Sequence, residues 1–375
     1  MRFTIASVVS TARDTRFELL RIVAMFLIVS CHFVAHIDWN LENAGGSTQA
    51  IAYTIDQYGG QIGVCIFFIL SGYFLINKPF RIQRILRTVL QTLVYAMLMF
   101  VISFVVPLVG LFPRPMSIVR EIYLSALPVF NGTYWFITSY VFLLLFSPFI
   151  NTTFHYMSKG DISRMLVLLP FLGIMATFAL GPLMWTNLTY AITAYIYGAY
   201  IRLYGSTIQI AKRLNMFVEA ILIVVSFTVM SIFYYILDIF TDSKQFIQSA
   251  HHITGTFPIL AILSVSGIFL ILHNSGSSRH ALRTSPRFSN IFSRPAKYVF
   301  GVYLIHENPC IKDTLWNTVS SITPFPQSGI MMISIGVICI LILYVLLLFV
   351  AFVIDSILVH PLESLMIPAL SRYFQ

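Results

Sequence analysis

Apolar runs of about twenty residues, separated by short polar intervals, occupy the chain from residue 17 to residue 355. They fall at 17–37, 58–77, 88–110, 133–150, 164–181, 187–204, 215–238, 254–273, 298–319 and 329–355. Bilayer hydrocarbon is about 30 Å thick, and a helix needs roughly 20 apolar residues to cross it. The pattern therefore predicts an all-α polytopic membrane protein, a bundle of about ten transmembrane helices. The expected division is an N-terminal tail at 1–16, a transmembrane domain at 17–356 and a C-terminal tail at 357–375. The longest interval, about 274–297, is a loop of Ser, Arg and Pro and is too short for a soluble domain.

Composition supports this reading: 58% of the residues are hydrophobic, 10% are charged and the mean hydropathy is +0.85, too apolar for a water-soluble chain of 375 residues. The net charge of +9 is spread over alternate loops instead of forming one patch, so it reports topology and not a nucleic-acid partner. With the crossings above, 19 of the 23 Lys and Arg fall on the side that holds the N-terminus. Arg114, Arg120, Lys244 and Lys312 fall on the other. Cytoplasmic loops retain positive charge, so both termini are expected in the cytoplasm, which requires an even number of crossings. The opening MRFTIASVVSTA, followed by RDTR, reads as an uncleaved cytoplasmic tail. Cys31, Cys65, Cys310 and Cys339 lie in apolar runs without pair spacing; they read as small packing residues, and no metal site is indicated.

An ionisable side chain inside a crossing costs at least about 2.5 kcal/mol, so each one demands a reason. In RIVAMFLIVSCHFVAH, residues 21–36, Arg21 and His32 are eleven positions apart. That is about 20° past three turns, so they share a helix face, with His32 some 16 Å deeper. Glu18 and His36 extend the same stripe. Arg21 snorkelling to headgroups and histidines bonded to neighbouring helices would satisfy this pattern. So would a deep imidazole acting as a general base, for which His32 is the better placed of the two histidines.

In VCIFFILSGYFLINKPFRIQRILR, residues 64–87, the apolar run ends at Lys78, and Arg81, Arg84 and Arg87 follow at intervals of three. They serve as positive-inside anchors, or as one ridge of guanidinium forks for phosphates, which would suit a nucleotide-bearing cofactor. Ser71 and Gly72 leave room for an acyl chain or a neighbouring helix. In FGVYLIHENP, residues 300–309, Tyr303 and His306 share a face, Glu307 adjoins them and Pro309 is expected to kink the helix near the outer side. YWF at 134–136 reads as an interfacial aromatic belt, and His251 and His252, near Asp242, as a solvated outer loop, with metal binding the lesser alternative.

The segments FELLRIVAMFLIVSCH, IFFILSGYFL followed by RIQR, YWFITSYVFLLLFSPFIN, YIYGAYIRLY and FGVYLIH together resemble acyltransferase family 3 in their order along the chain. These are bacterial integral-membrane O-acyltransferases of surface glycans. The resemblance implies a ten-helix bundle in the bacterial plasma membrane that takes an acyl group, most often acetyl, from cytoplasmic acyl-coenzyme A (acyl-CoA) to a hydroxyl of a glycan or lipid-linked glycan. The family's basic-residue-and-histidine signature corresponds to Arg21 and His32, its Arg-x-x-Arg signature to Arg81 and Arg84, and its small-residue motif to Phe67, Phe68, Ser71 and Gly72. It thus implies a catalytic set of His32, Arg21 and Glu18: His32 as general base or as a transiently acylated carrier, Arg21 contacting the donor or orienting His32, and Glu18 pairing with Arg21. Arg81, Arg84, Arg87, Ser71 and Gly72 would bind the donor, and Tyr303 and His306 the acceptor at the outer mouth. Some members carry a fused extracytoplasmic esterase-like domain, and none is expected here. The competing reading is a transporter or flippase of a lipid-linked sugar or small anion, with Arg and His lining its path.

Overall fold

The computed structural model describes residues 14–37, 46–108, 117–175, 186–209, 214–240, 256–276, 291–323 and 329–374. Among them there is no strand, and the chain is all-α. Asp14 starts α1 (Thr15–His36) by accepting a hydrogen bond from the backbone N–H of Arg16, the usual way of satisfying a helix's first donors. There follow α2 (Gly46–Thr54), α3 (Gly60–Leu75), α4 (Ile82–Leu108), α5 (Ile118–Ala126), α6 (Trp135–Tyr156), α7 (Lys159–Met175) and α8 (Asn187–Tyr204). Then come α9 (Met216–Phe240), α10 (Thr256–Gly276), α11 (Val299–His306), α12 (Lys312–Ile322), α13 (Gly329–Ile354) and α14 (His360–Ser371).

Among the described residues, six helical stretches are long and apolar enough to cross a membrane: 15–36, 46–75, 82–105, 135–156, 258–275 and 331–374. The chain is therefore a multi-pass membrane protein. α7 and α8 are helical where crossings were expected but are shorter or less apolar. In α8 the cause is a run of tyrosines, and burial explains it. Tyr190, Tyr195 and Tyr197 donate to Gln61 O, Asn151 Oδ1 and Leu166 O on three different neighbours, so each hydroxyl is satisfied without water.

Three expected crossings differ in form. The 58–77 run begins at Gly46 instead, because one π-helical turn at Ile55–Gly59 joins α2 to α3 without a break. The 329–355 run continues through a second π turn, Asp355–Val359, into α14, so residues 360–371 of the expected tail are helical. The 298–319 run is not one helix: α11 stops at His306, and the chain turns before α12.

α3 lies at the centre, packed against α1, α8 and α10. Glycines set how close it comes. A methyl on Gly72 would overlap the carbonyl of Tyr195, and one on Gly198 the carbonyl of Ile69, so each glycine receives the other helix's backbone. On the α1 side, a methyl on Gly63 would stand 2.5 Å from the carbonyl of Ala24. Lipid offers no hydrophobic drive to bring helices together, so close backbone approach at small residues supplies the packing attraction. Val101, Phe149, Phe171, Val224 and Val345 stay exposed on the outward faces of α4, α6, α7, α9 and α13, as a lipid-facing surface requires.

Candidate functional site

Near its C-terminal end α1 presents His32 to the end of α11. His32 Nδ1 lies 2.9 Å from His306 Nε2, and His306 Nδ1 lies 2.6 Å from the carbonyl oxygen of Val302. His306 is completely buried, while the side chain of His32 is a fifth exposed. Glu307 Oε1 sits 3.4 Å from His32 Nδ1 and 3.8 Å from His36 Nε2, and Lys312 Nζ lies 3.9 Å from Glu307 Oε2. His36 is stacked on Trp316. Glu307 Oε1 is buried without a hydrogen bond, a costly condition for a carboxylate oxygen unless a charged partner forms beside it.

The broken helix creates this cluster. Pro309 offers no N–H to continue a helix, and the freed groups are collected by a side chain from another element. Tyr134, at the start of α6, donates to Leu304 O at 3.0 Å and accepts from Asn308 Nδ2 at 2.7 Å. Asn308 Oδ1 in turn accepts from the backbone of Cys310 at 2.9 Å. The turn is thereby fixed, and Glu307 is held beside the histidines.

His32, His306 and Glu307 also form the group that could hold a metal ion among the described residues, their ligand atoms lying within 4.8 Å of one another. The sequence did not indicate this group, because the two histidines lie 274 positions apart. Two imidazoles and a carboxylate suit zinc, but the 2.9 Å contact is already a good hydrogen bond and accounts for the pair by itself.

At the other end of α1, Arg21 Nη1 donates to Glu18 Oε1 at 2.7 Å, with Glu18 buried. Arg21 borders a cavity of about 320 Å³ that also meets Ser71, Thr88, Tyr140 and Lys297 and is otherwise apolar, with Met25, Phe67, Leu70, Phe74, Phe136 and Phe300. Ser71 belongs to the lining, its hydroxyl donating to Phe67 O. Gly72 does not; it faces α8.

Arg81, Arg84 and Arg87 border a second recess of about 560 Å³, together with Gln83 and with Phe80 and Phe374 at its edges. Arg84 Nη1 donates to Pro79 O at 3.0 Å. Among the described residues no carboxylate pairs with any of the three, so their charge is free for an anion. Thr88, which lines the cavity, donates to the carbonyl oxygen of Arg84 at 3.0 Å, so the recess and the cavity adjoin along α4.

Some expected relations change. Arg21 and His32 share a face, but Arg21 pairs with Glu18 and cannot orient an imidazole three turns away. The cavity stops at Met25, Phe67 and Phe136 and does not reach His32. Tyr303 and His306 are not at an outer mouth: Tyr303 is buried with its ring against Tyr134, Phe136 and His306, and His306 is the partner of His32. Tyr134 and Phe136 are likewise buried, so YWF is a structural insert and not an interfacial belt. His251, His252 and Asp242 lie outside the described residues. Sequence reasoning noted Glu307 beside Tyr303 and His306 without giving it a role and gave Lys297 none beyond topology; the signal for Glu307 was an ionisable pair, HE, closing an apolar run.

No curated protein and no solved structure matches the chain significantly. A family model described as an acyltransferase domain matches residues 14–354, from the residue that caps α1 to the last residue of α13, and the chain belongs to acyltransferase family 3.

Proposed function

We propose that this protein is an O-acyltransferase of the bacterial plasma membrane that moves an acyl group, acetyl in the simplest case, from cytoplasmic acyl-CoA to a hydroxyl of a surface or exported polysaccharide. The observation that carries this reading is the polarity of α1. One end borders a cavity near arginines that pair with no carboxylate among the described residues, and the other carries an imidazole with a buried partner and a carboxylate. The bundle crosses about ten times with both termini in the cytoplasm, which puts the arginines on the donor side and His32 in the outer half, toward the glycan or lipid-linked glycan acceptor.

On this reading Arg81, Arg84 and Arg87 hold the donor's phosphates, since guanidinium pairs with phosphate through two parallel hydrogen bonds. The cavity beyond them, with Arg21, Ser71 and Lys297 at its polar edge, receives the pantetheine arm. His32 takes the proton of the acceptor hydroxyl as the oxygen attacks the thioester carbonyl, the C–S bond breaks, and the proton passes to the leaving sulfur. Glu307 stands beside the imidazolium that forms between these two transfers.

The test is acyl transfer from radiolabelled acetyl-CoA in membranes. Wild-type membranes should place label in glycan and release free coenzyme A. His32→Ala should lose about 100-fold or more of that rate while inserting and folding normally. A folded His32→Ala protein with wild-type transfer removes His32 from the reaction; wild-type membranes that release no coenzyme A and label no glycan fit a transporter instead.

A further inference from the structure

The hydrogen-bond chain that ends on His32 fixes more than its position. A peptide carbonyl can only accept, so the 2.6 Å contact of His306 Nδ1 with Val302 O puts a proton on that nitrogen. His306 is wholly buried, and its two nitrogens meet a neutral carbonyl and another imidazole, with no carboxylate bonded to either. The Glu307 carboxylate, within 4.8 Å, bonds to neither nitrogen of His306 and stands closer to His32, so in the resting pair the ring of His306 is neutral and its Nε2 is an acceptor. The 2.9 Å contact with His32 Nδ1 then requires that nitrogen to be the donor. In its neutral form His32 is left with an unprotonated Nε2.

We propose that His306 is a positioning residue that holds His32 in the Nδ1–H tautomer, and that Nε2 of His32 is therefore the atom that receives the acceptor's proton. This rests on the acyl-transfer reading only for what Nε2 does; the tautomer itself follows from the contacts. The step balances: the hydroxyl proton goes to Nε2, the hydroxyl oxygen bonds to the acyl carbon as sulfur leaves, and the proton on Nε2 passes to that sulfur. Nδ1–H stays bonded to His306 throughout, so the ring cannot turn over between accepting the proton and returning it. Glu307 Oε1, 3.4 Å from Nδ1, faces the side of the ring where the transient charge is shared. The path runs from peptide carbonyl to buried imidazole to reactive imidazole, with the base atom farthest from the buried end.

The decisive measurement is ¹⁵N NMR of histidine-labelled protein in lipid nanodiscs, with His32 assigned by comparison with His32→Gln. Expected is a pyrrole-type Nδ1 and a pyridine-type Nε2 for His32 in the wild type. A proton on Nε2 in the neutral ring overturns the proposal, and so does a stoichiometric transition metal found by elemental analysis of the purified protein. In His306→Phe the fixed tautomer should give way to a mixture, with kcat down about 100-fold and the KM for acetyl-CoA unchanged. His306→Gln retains an amide oxygen to accept from Nδ1–H, so it should keep the wild-type tautomer and recover at least tenfold of that kcat. Loss of both variants to misfolding would leave the wild-type spectrum as the deciding readout. Because that spectrum needs no substrate, it judges the hydrogen-bond chain independently of the radiolabel assay that judges acyl transfer.

Discussion

At the scale of single residues, the site divides into what one helix encodes and what the fold assembles. Arg21 with Glu18, and the ridge Arg81, Arg84, Arg87, were legible because spacing along one helix fixes which side chains share a face. The partnership of His32 with His306 and Glu307 was not, since it joins α1 to the end of α11 across most of the chain. Glu307→Gln keeps the side chain's shape and removes its charge. Losing the counter-charge beside a transient imidazolium should lower kcat about 10- to 100-fold with the KM for the donor unchanged, measured with purified enzyme. An increase in KM alone would assign Glu307 to donor binding instead. The opposite split is expected for Arg81→Ala with Arg84→Ala. Two phosphate forks lost should raise the KM for acyl-CoA at least tenfold and leave kcat within a few-fold, with a weaker salt dependence of donor affinity.

At the scale of elements, the apolar runs gave most of the helices and the bounds of α8 residue for residue, but they began the second crossing at 58 where the helix begins at Gly46. They missed where helices break or wind differently. A kink was expected at Pro309, but a full stop at His306 needs the hydroxyl of Tyr134 to collect the freed groups, and no local pattern announces that contact. The π turn at Ile55–Gly59 was equally hidden, because its sequence is as compatible with an ordinary helix. Gly72 shows how a motif residue can serve the fold. Gly72→Ala places a methyl against the backbone of α8, where neither a carbonyl nor a helix axis gives way easily. The expected cost is about 1–3 kcal/mol of stability. In thermal unfolding of the solubilised protein this should appear as a lower Tm, while the donor KM of the folded fraction stays unchanged because Gly72 does not line the cavity. A raised KM at unchanged Tm would return Gly72 to the donor site.

At the scale of the whole molecule, the two halves of the site are separated by an aromatic floor. The cavity ends at Phe136, which stacks on Tyr140 with ring centroids 6.2 Å apart and presses against Phe67, Phe68 and Tyr303, the last of which touches His306. Met25, on the cavity side of α1, is about 10 Å along the helix from His32, so an acyl group lodged in the cavity still has to pass this floor. On the acyl-transfer reading, Phe136 is the side chain whose size sets what reaches the histidine. Phe136→Leu removes the flat ring while keeping an apolar body, and should favour longer acyl groups by roughly the worth of one or two methylenes, about 10-fold in the ratio of kcat/KM for butyryl-CoA to that for acetyl-CoA. Phe136→Trp should move the ratio the other way and lower kcat for both donors. Competition between the two labelled donors in one membrane preparation measures the ratio directly and cancels differences in expression. An unchanged ratio in both variants would mean that the acyl group reaches His32 by a route that avoids the floor, and the cavity beside Arg21 would then lose its assignment to the donor arm.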